Sequence, residues 1–131
     1  MDIENLCFSG GGTKGIAYVG VLKALEELNI IKNIKSIIGT SSGSIIGLFI
    51  NIGYTYSQLN ELCLKLNFDK LVTYVENLDT LISCFTRSFG MDSGENIIKI
   101  IRVLIEKKKF NSDIDFLELY EKTNIKLIIT G

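Results

Sequence analysis

Apolar positions along this chain fall into short blocks alternating with longer stripes. Ile3 to Phe8 is a short block stopped by Ser9-Gly10-Gly11-Gly12, which predicts a buried strand. From Lys14 to Leu28, apolar residues recur at Ile16, Val19, Leu22, Leu25 and Leu28, with Glu26 and Glu27 between them. That spacing is close to the helical period and predicts an amphipathic helix. Ile34 to Ile38 is a second strand-like block, ended by Gly39. Ser42 to Ile52 carries Ile45, Ile46, Leu48, Phe49 and Ile52 and reads as a second helix. Strand, helix, strand, helix predicts an α/β fold: a parallel-type sheet with helices on both faces.

The second half is mostly helical. Ser57 is the expected N-cap of a helix through Leu59, Leu62, Cys63 and Leu66. Asp92 or Ser93 caps a helix from Glu95 to about Lys108, with Ile97, Ile98, Ile101, Leu104 and Ile105 inward. Asp113 or Asp115 starts a short helix through Leu117 and Tyr120. Ile125 to Thr130 reads as a third buried strand. Leu78, Leu81, Ile82, Phe85 and Phe89 lie at helical spacing. They are expected to fill the core, the alternative being an apolar flap at the mouth of a lipid site. Lys107, Lys108 and Lys109 are expected at a solvated helix end, where cations complement the helix dipole.

Composition narrows the chemistry. The 131 residues include no histidine, so no Ser-His-Asp triad, Cys-His pair or histidine metal site can be built from them alone. A net charge of −1 gives no basic footprint for nucleic acid. The three cysteines, Cys7, Cys63 and Cys84, form no C-x-x-C pair and are expected to be buried and reduced. The N-terminus is acidic, unlike a signal peptide. No apolar run approaches the ~20 residues that a spanning helix needs. A cytoplasmic location is the expectation.

Two glycine-rich segments carry the candidate chemistry. Gly10-Gly11-Gly12-Thr13-Lys14-Gly15 follows a strand and opens a helix, a place where backbone amides and a helix N-terminus attract an oxyanion or phosphate. A dinucleotide loop would need an acid at the end of the second strand, and Ile38-Gly39-Thr40 has none. A Walker-type loop would need Gly-Lys-Ser/Thr, and the order here is Lys14-Gly15-Ile16. A tight turn without a ligand accounts for this segment equally well on its own. Gly39-Thr40-Ser41-Ser42-Gly43 is G-x-S-x-G between strand and helix, the setting of a nucleophile elbow. The plainer alternative is a helix cap with Ser41 or Ser42 as N-cap.

Together the segments are more specific. They lie one β-α-β unit apart, and a right-handed crossover brings both strand tips to one edge of the sheet. Amides of the glycine loop then flank the Ser41 hydroxyl, which describes a nucleophile with a preformed oxyanion hole. The reaction class is acyl transfer or ester hydrolysis.

The stretch from Phe8 to Leu22 (FSGGGTKGIAYVGVL) and that from Ile38 to Gly47 (IGTSSGSIIG) resemble patatin-like phospholipases of bacterial type. Asn51-Ile52-Gly53-Tyr54 and Phe116-Leu117-Glu118-Leu119-Tyr120 are similar to them too. The resemblance implies a three-layer α/β/α domain, a Ser-Asp dyad in place of a triad, and no metal or other cofactor. It implies Ser41 as nucleophile and the amides around Gly10, Gly11 and Gly12 as the oxyanion hole. Lys14, Gly15, Gly39 and Gly43 fall at supporting motif positions. The implied substrate is a phospholipid or other lipid acyl ester, with peripheral membrane contact and no nucleic-acid partner. The family's aspartate lies in Asp-Gly-Gly or Asp-Gly-Ala, and neither tripeptide occurs here. Residues 1–131 are therefore expected to be the N-terminal part of a single acyl hydrolase domain, with the aspartate outside them. Two alternatives stay open: a Ser-His-type hydrolase or acyltransferase completed downstream, and a catalytically inactive lipid-binding domain.

Overall fold

A computed structural model describes residues 3–65 and 95–131. The order is β1 (Asn5–Phe8), a 3₁₀ turn (Gly12–Ile16), α1 (Ala17–Glu27), a second 3₁₀ turn (Ile31–Asn33), β2 (Ser36–Thr40) and α2 (Ser42–Asn51). Then come α3 (Tyr56–Lys65), α4 (Glu95–Lys107), α5 (Phe116–Thr123) and β3 (Lys126–Thr130). The strands form one parallel sheet in the order β1-β2-β3. The α/β class and the parallel sheet are as the sequence predicts.

Register explains which side chains reach the core. Leu6, Ile37 and Leu127 lie side by side across the three strands, and Ile37 is fully buried. Burying such a side chain contributes about 1.5–3 kcal/mol. Cys7, Ile38 and Ile128 alternate to the other face. There the Ser36 hydroxyl donates to Asn5 Oδ1, and the Thr40 and Thr130 hydroxyls share a hydrogen bond. Cys7 is accordingly exposed, against the expectation of a buried thiol, because it sits between inward Leu6 and Phe8. Cys63 is half-buried, and both thiols are free.

Helix α2 packs across all three strands. It comes this close because Gly47 has no side chain: a Cβ there would lie 2.9 Å from Ile37 Cγ2. Phe8, Val19, Leu22, Ile37, Phe49, Ile50, Leu59, Leu104 and Leu119 belong to one core. Buried Asn51, at the end of α2, donates through Nδ2 to Ile125 O at 2.9 Å and so ties that end to the entry of β3.

Several local expectations shift. Thr55, not Ser57, precedes α3. Its hydroxyl accepts from Gln58 N (3.4 Å), and Gln58 Oε1 accepts from Thr55 N (3.2 Å). This reciprocal box needs Glu or Gln three residues on, which Thr55 has and Ser57, followed by Asn60, lacks. Asp115 caps α5, accepting from Glu118 N at 2.8 Å. Ile98 is half exposed, while Ile100 faces inward with Ile97, Ile101 and Leu104. Leu28 is exposed at the end of α1. The expected cap at Asp92 or Ser93 and the segment holding Leu78, Leu81, Ile82, Phe85 and Phe89 lie outside the described residues. Among the described residues no helix is long and apolar enough to cross a membrane.

Candidate active site

The C-terminal ends of β1 and β2 deliver the two glycine segments to one edge of the sheet. Their contact is direct. A Cβ on Gly10 would lie 3.2 Å from Ser41 Cβ, and one on Gly15 would lie 2.8 Å from Ser42 Cβ. A Cβ on Gly43 would come within 2.4 Å of Phe8 O and 2.6 Å of Ser9 O. On Gly39 it would be 2.5 Å from Ser44 Cα. Gly39 and Gly43 let one backbone segment pass closer to another than any larger residue allows, and Gly10 and Gly15 leave room for the Ser41 and Ser42 side chains. Gly11 sits at the start of the 3₁₀ turn, where its carbonyl accepts from Lys14 N at 3.1 Å. Gly12 has φ of 55°, in the left-handed region that glycine enters at no steric cost. The Lys14 side chain is exposed beside the loop.

Ser41 is the strained residue of the site. Its φ is 51° and ψ is −126°, a conformation that costs a residue with a side chain about 1–3 kcal/mol. It precedes α2 in the N-cap position, yet its hydroxyl makes no capping hydrogen bond. The cap reading therefore loses its basis at Ser41. Ser42 does not supply the cap either, since its buried Oγ has no hydrogen-bond partner among the described residues. The strain instead turns the Ser41 side chain out at the positive end of α2, and Ser41 is exposed. Two donors fix the Ser41 carbonyl: Ser44 N at 2.9 Å and the Ser44 hydroxyl.

A second brace holds the glycine loop. The Tyr18 hydroxyl lies 2.7 Å from Ser9 Oγ and donates to Ser9 O at 3.0 Å. Its ring meets Phe8 edge-on, with centroids 5.1 Å apart. Tyr18 went unnoticed in the sequence, where it reads as one more residue of the first helix. Its signal is the spacing, one helical turn past the loop it clamps.

From Ser41 an apolar cleft of about 440 Å³ runs between the helices. Gly12, Thr13, Ile16 and Ser41 stand at its exposed end. Phe49, Leu59 and Leu104 are its most deeply buried lining, together with Val19. Ile97, Ile100 and Ile101 of α4 form one wall, and Leu62 and Cys63 of α3 another. Burial in this wall pushes the Cys63 thiol above its ordinary value. Ile16, expected to be a core residue, is partly exposed because it faces the open end of the cleft. Among the described residues no group of His, Cys, Asp or Glu side chains is placed to hold a metal ion. None of them donates to or accepts from Ser41 Oγ.

Comparison with known proteins gives a consistent answer. The family model described as "Patatin-like phospholipase" matches residues 6–129. Over 127 residues the chain is 39% identical to "Probable lipid hydrolase 463L" of Invertebrate iridescent virus 6, covering 96% of this chain and 42% of that protein. It is 30% identical over 132 residues to "Triacylglycerol lipase 4" of Saccharomyces cerevisiae, covering 95% of this chain and 14% of that one. The chain thus spans well under half the length of these relatives. Among solved structures it is similar to a chain in the complex of full-length SpcU with full-length ExoU from the type III secretion system of Pseudomonas aeruginosa. The TM-score is 0.56 at 26% identity, over 82% of this chain and 22% of that one. With both glycine segments, the helix between them and nearly all of β1 and β3 inside the matched residues, the chain belongs to the patatin-like phospholipase family.

Proposed function

We propose that this protein is a serine lipid acyl hydrolase in which Ser41 attacks the ester carbonyl of a long acyl chain seated in the cleft. The observation that carries the reading is the strained, uncapped Ser41 at the head of an apolar cleft. Helix capping does not need that strain, and a nucleophile elbow does. The cleft also argues for acyl chemistry. An apolar cavity of about 150 Å³ holds one benzene ring. At about 440 Å³ the cleft has roughly three times that room, on the order of sixteen carbons. An acetyl or butyryl group would leave most of it empty.

In this mechanism Ser41 Oγ forms a bond to the carbonyl carbon. The developing oxyanion is held by backbone amides of Gly10, Gly11 and Gly12, while the α2 N-terminus favours negative charge at the serine. The Ser41 proton passes to a carboxylate outside residues 1–131, as in the Ser-Asp dyad the family implies. It then goes to the leaving alcohol, and water releases the acyl group by the reverse sequence. Residues 1–131 supply nucleophile, oxyanion hole and chain site as the N-terminal part of one domain. The names of the viral and yeast relatives, a lipid hydrolase and a triacylglycerol lipase, support the same substrate class.

The test is turnover of p-nitrophenyl palmitate and of phospholipid vesicles by the protein at its full natural length. Ser41→Ala is expected to lower the rate by on the order of 10⁴-fold or more with an unchanged circular dichroism spectrum. Full activity in Ser41→Ala overturns the proposal.

A further inference from the structure

The most deeply buried lining of the cleft is held by residues that do not line it. Helix α4 ends at Lys107, and in its last turn Lys108 N bonds to Ile105 O. Leu104 O is thereby left among the carbonyls that a helix end cannot satisfy itself. The Tyr54 hydroxyl takes it, donating at 2.8 Å in a buried hydrogen bond. Burial pushes the Tyr54 phenol above its ordinary value. The Tyr54 ring also packs against Phe49, with centroids 5.5 Å apart.

Lys108 adds a second tie. The sequence predicts it at a solvated helix end, whereas the structure places it half-buried among fixed partners. Its Nζ donates to Gly53 O at 2.6 Å and to Gln58 Oε1 at 2.7 Å, and lies 4.5 Å from the centre of the Tyr54 ring. Gln58 is the residue that closes the capping box of α3. One ammonium group therefore joins the end of α4, the turn after α2 and the first turn of α3. Those are the elements that contribute Leu104, Phe49 and Leu59 to the deepest part of the cleft.

We infer that Tyr54 and Lys108 are positioning residues that set the depth of the acyl site, and hence which acyl chain lengths the protein accepts. This rests on the acyl hydrolase reading for its substrate, and on the hydrogen bonds above for its geometry. Loosening either tie lets Leu104 and the α4 wall shift relative to Phe49 and Leu59. A long chain that reaches this part of the cleft feels the shift, and a short one does not reach it. In an apolar pocket a misfit of one methylene is worth roughly 10-fold or more in discrimination.

The experiment compares Tyr54→Phe, Lys108→Met and Lys108→Arg with the parent at full natural length. It reads kcat and KM on p-nitrophenyl butyrate and palmitate, and equilibrium binding of cis-parinaric acid, a fluorescent long-chain fatty acid. Tyr54→Phe and Lys108→Met are expected to change the palmitate-to-butyrate ratio of kcat/KM by about 10-fold, mainly through the palmitate KM. They are expected to weaken parinarate binding in parallel, with Lys108→Arg restoring most of both. An unchanged ratio with unchanged binding in both variants, or an equal fall on both esters, overturns the inference. Parinarate binding that shifts as expected in a protein without esterase activity would remove the hydrolase reading and leave the depth-setting role standing. A parent protein that does not bind parinarate overturns the inference whatever its activity.

Discussion

Around Ser41 the structure is set by backbone against backbone. A Cβ at Gly43 would lie 2.4 Å from Phe8 O, and one at Gly39 would lie 2.6 Å from Ser44 N. Around Leu104, in the buried lining of the same cleft, it is set by side chains reaching from separate elements: Tyr54, Gln58 and Lys108. The first arrangement leaves the main chain around Ser41 little freedom to adjust. The second leaves the walls dependent on a few polar ties and on apolar contacts. The same cleft thus joins a region fixed by backbone contact to one held by single side chains.

The comparison breaks most sharply at glycine. Gly43→Ala is expected to cost about 3 kcal/mol or more, because the added methyl meets the carbonyls of β1 and the residue after it, which cannot move aside. Gly20→Ala is the matched control. A Cβ there meets nothing within 4 Å, and helix propensity favours alanine by about 1 kcal/mol. Urea denaturation of both variants checks the pair. Equal midpoints would remove the claim that close backbone approach defines the serine end.

A smaller effect is expected at the cleft wall. Ile101→Ala deletes more atoms than Gly43→Ala adds, yet its side chain is half-buried and faces a space that already exists. The expected cost is about 1 kcal/mol, read from the same urea curves. A loss as large as that of Gly43→Ala would mean that the wall is packed core.

How much of this was legible in the sequence follows the same division. Gly39 and Gly43 could be singled out because close backbone approach leaves glycine as the only residue that fits, and glycines at fixed spacing around Ser41 are visible in one dimension. The parallel strands were visible too, since short apolar blocks between helices have few other solutions. What periodicity does not specify is which neighbour covers a face. Ile98 and Ile100 are equally apolar, and only the position of the cleft decides which points inward. Cys7 looks buried until β1 is seen to alternate between a packed and an open face. Lys108 looks like any lysine of a basic run, because its partners Gly53 and Gln58 lie far away in sequence. Ser57 was a fair cap by residue type, but Thr55 had the glutamine that completes the box.

We propose Ser41, whose backbone is strained, as the reacting residue. The most direct measurement treats the protein, at full natural length, with a fluorophosphonate and maps the adduct by peptide mass spectrometry. One adduct is expected on Ser41, none on neighbouring Ser42, and no labelling in Ser41→Ala. An adduct on a different serine, or undiminished labelling of Ser41→Ala, would contradict it.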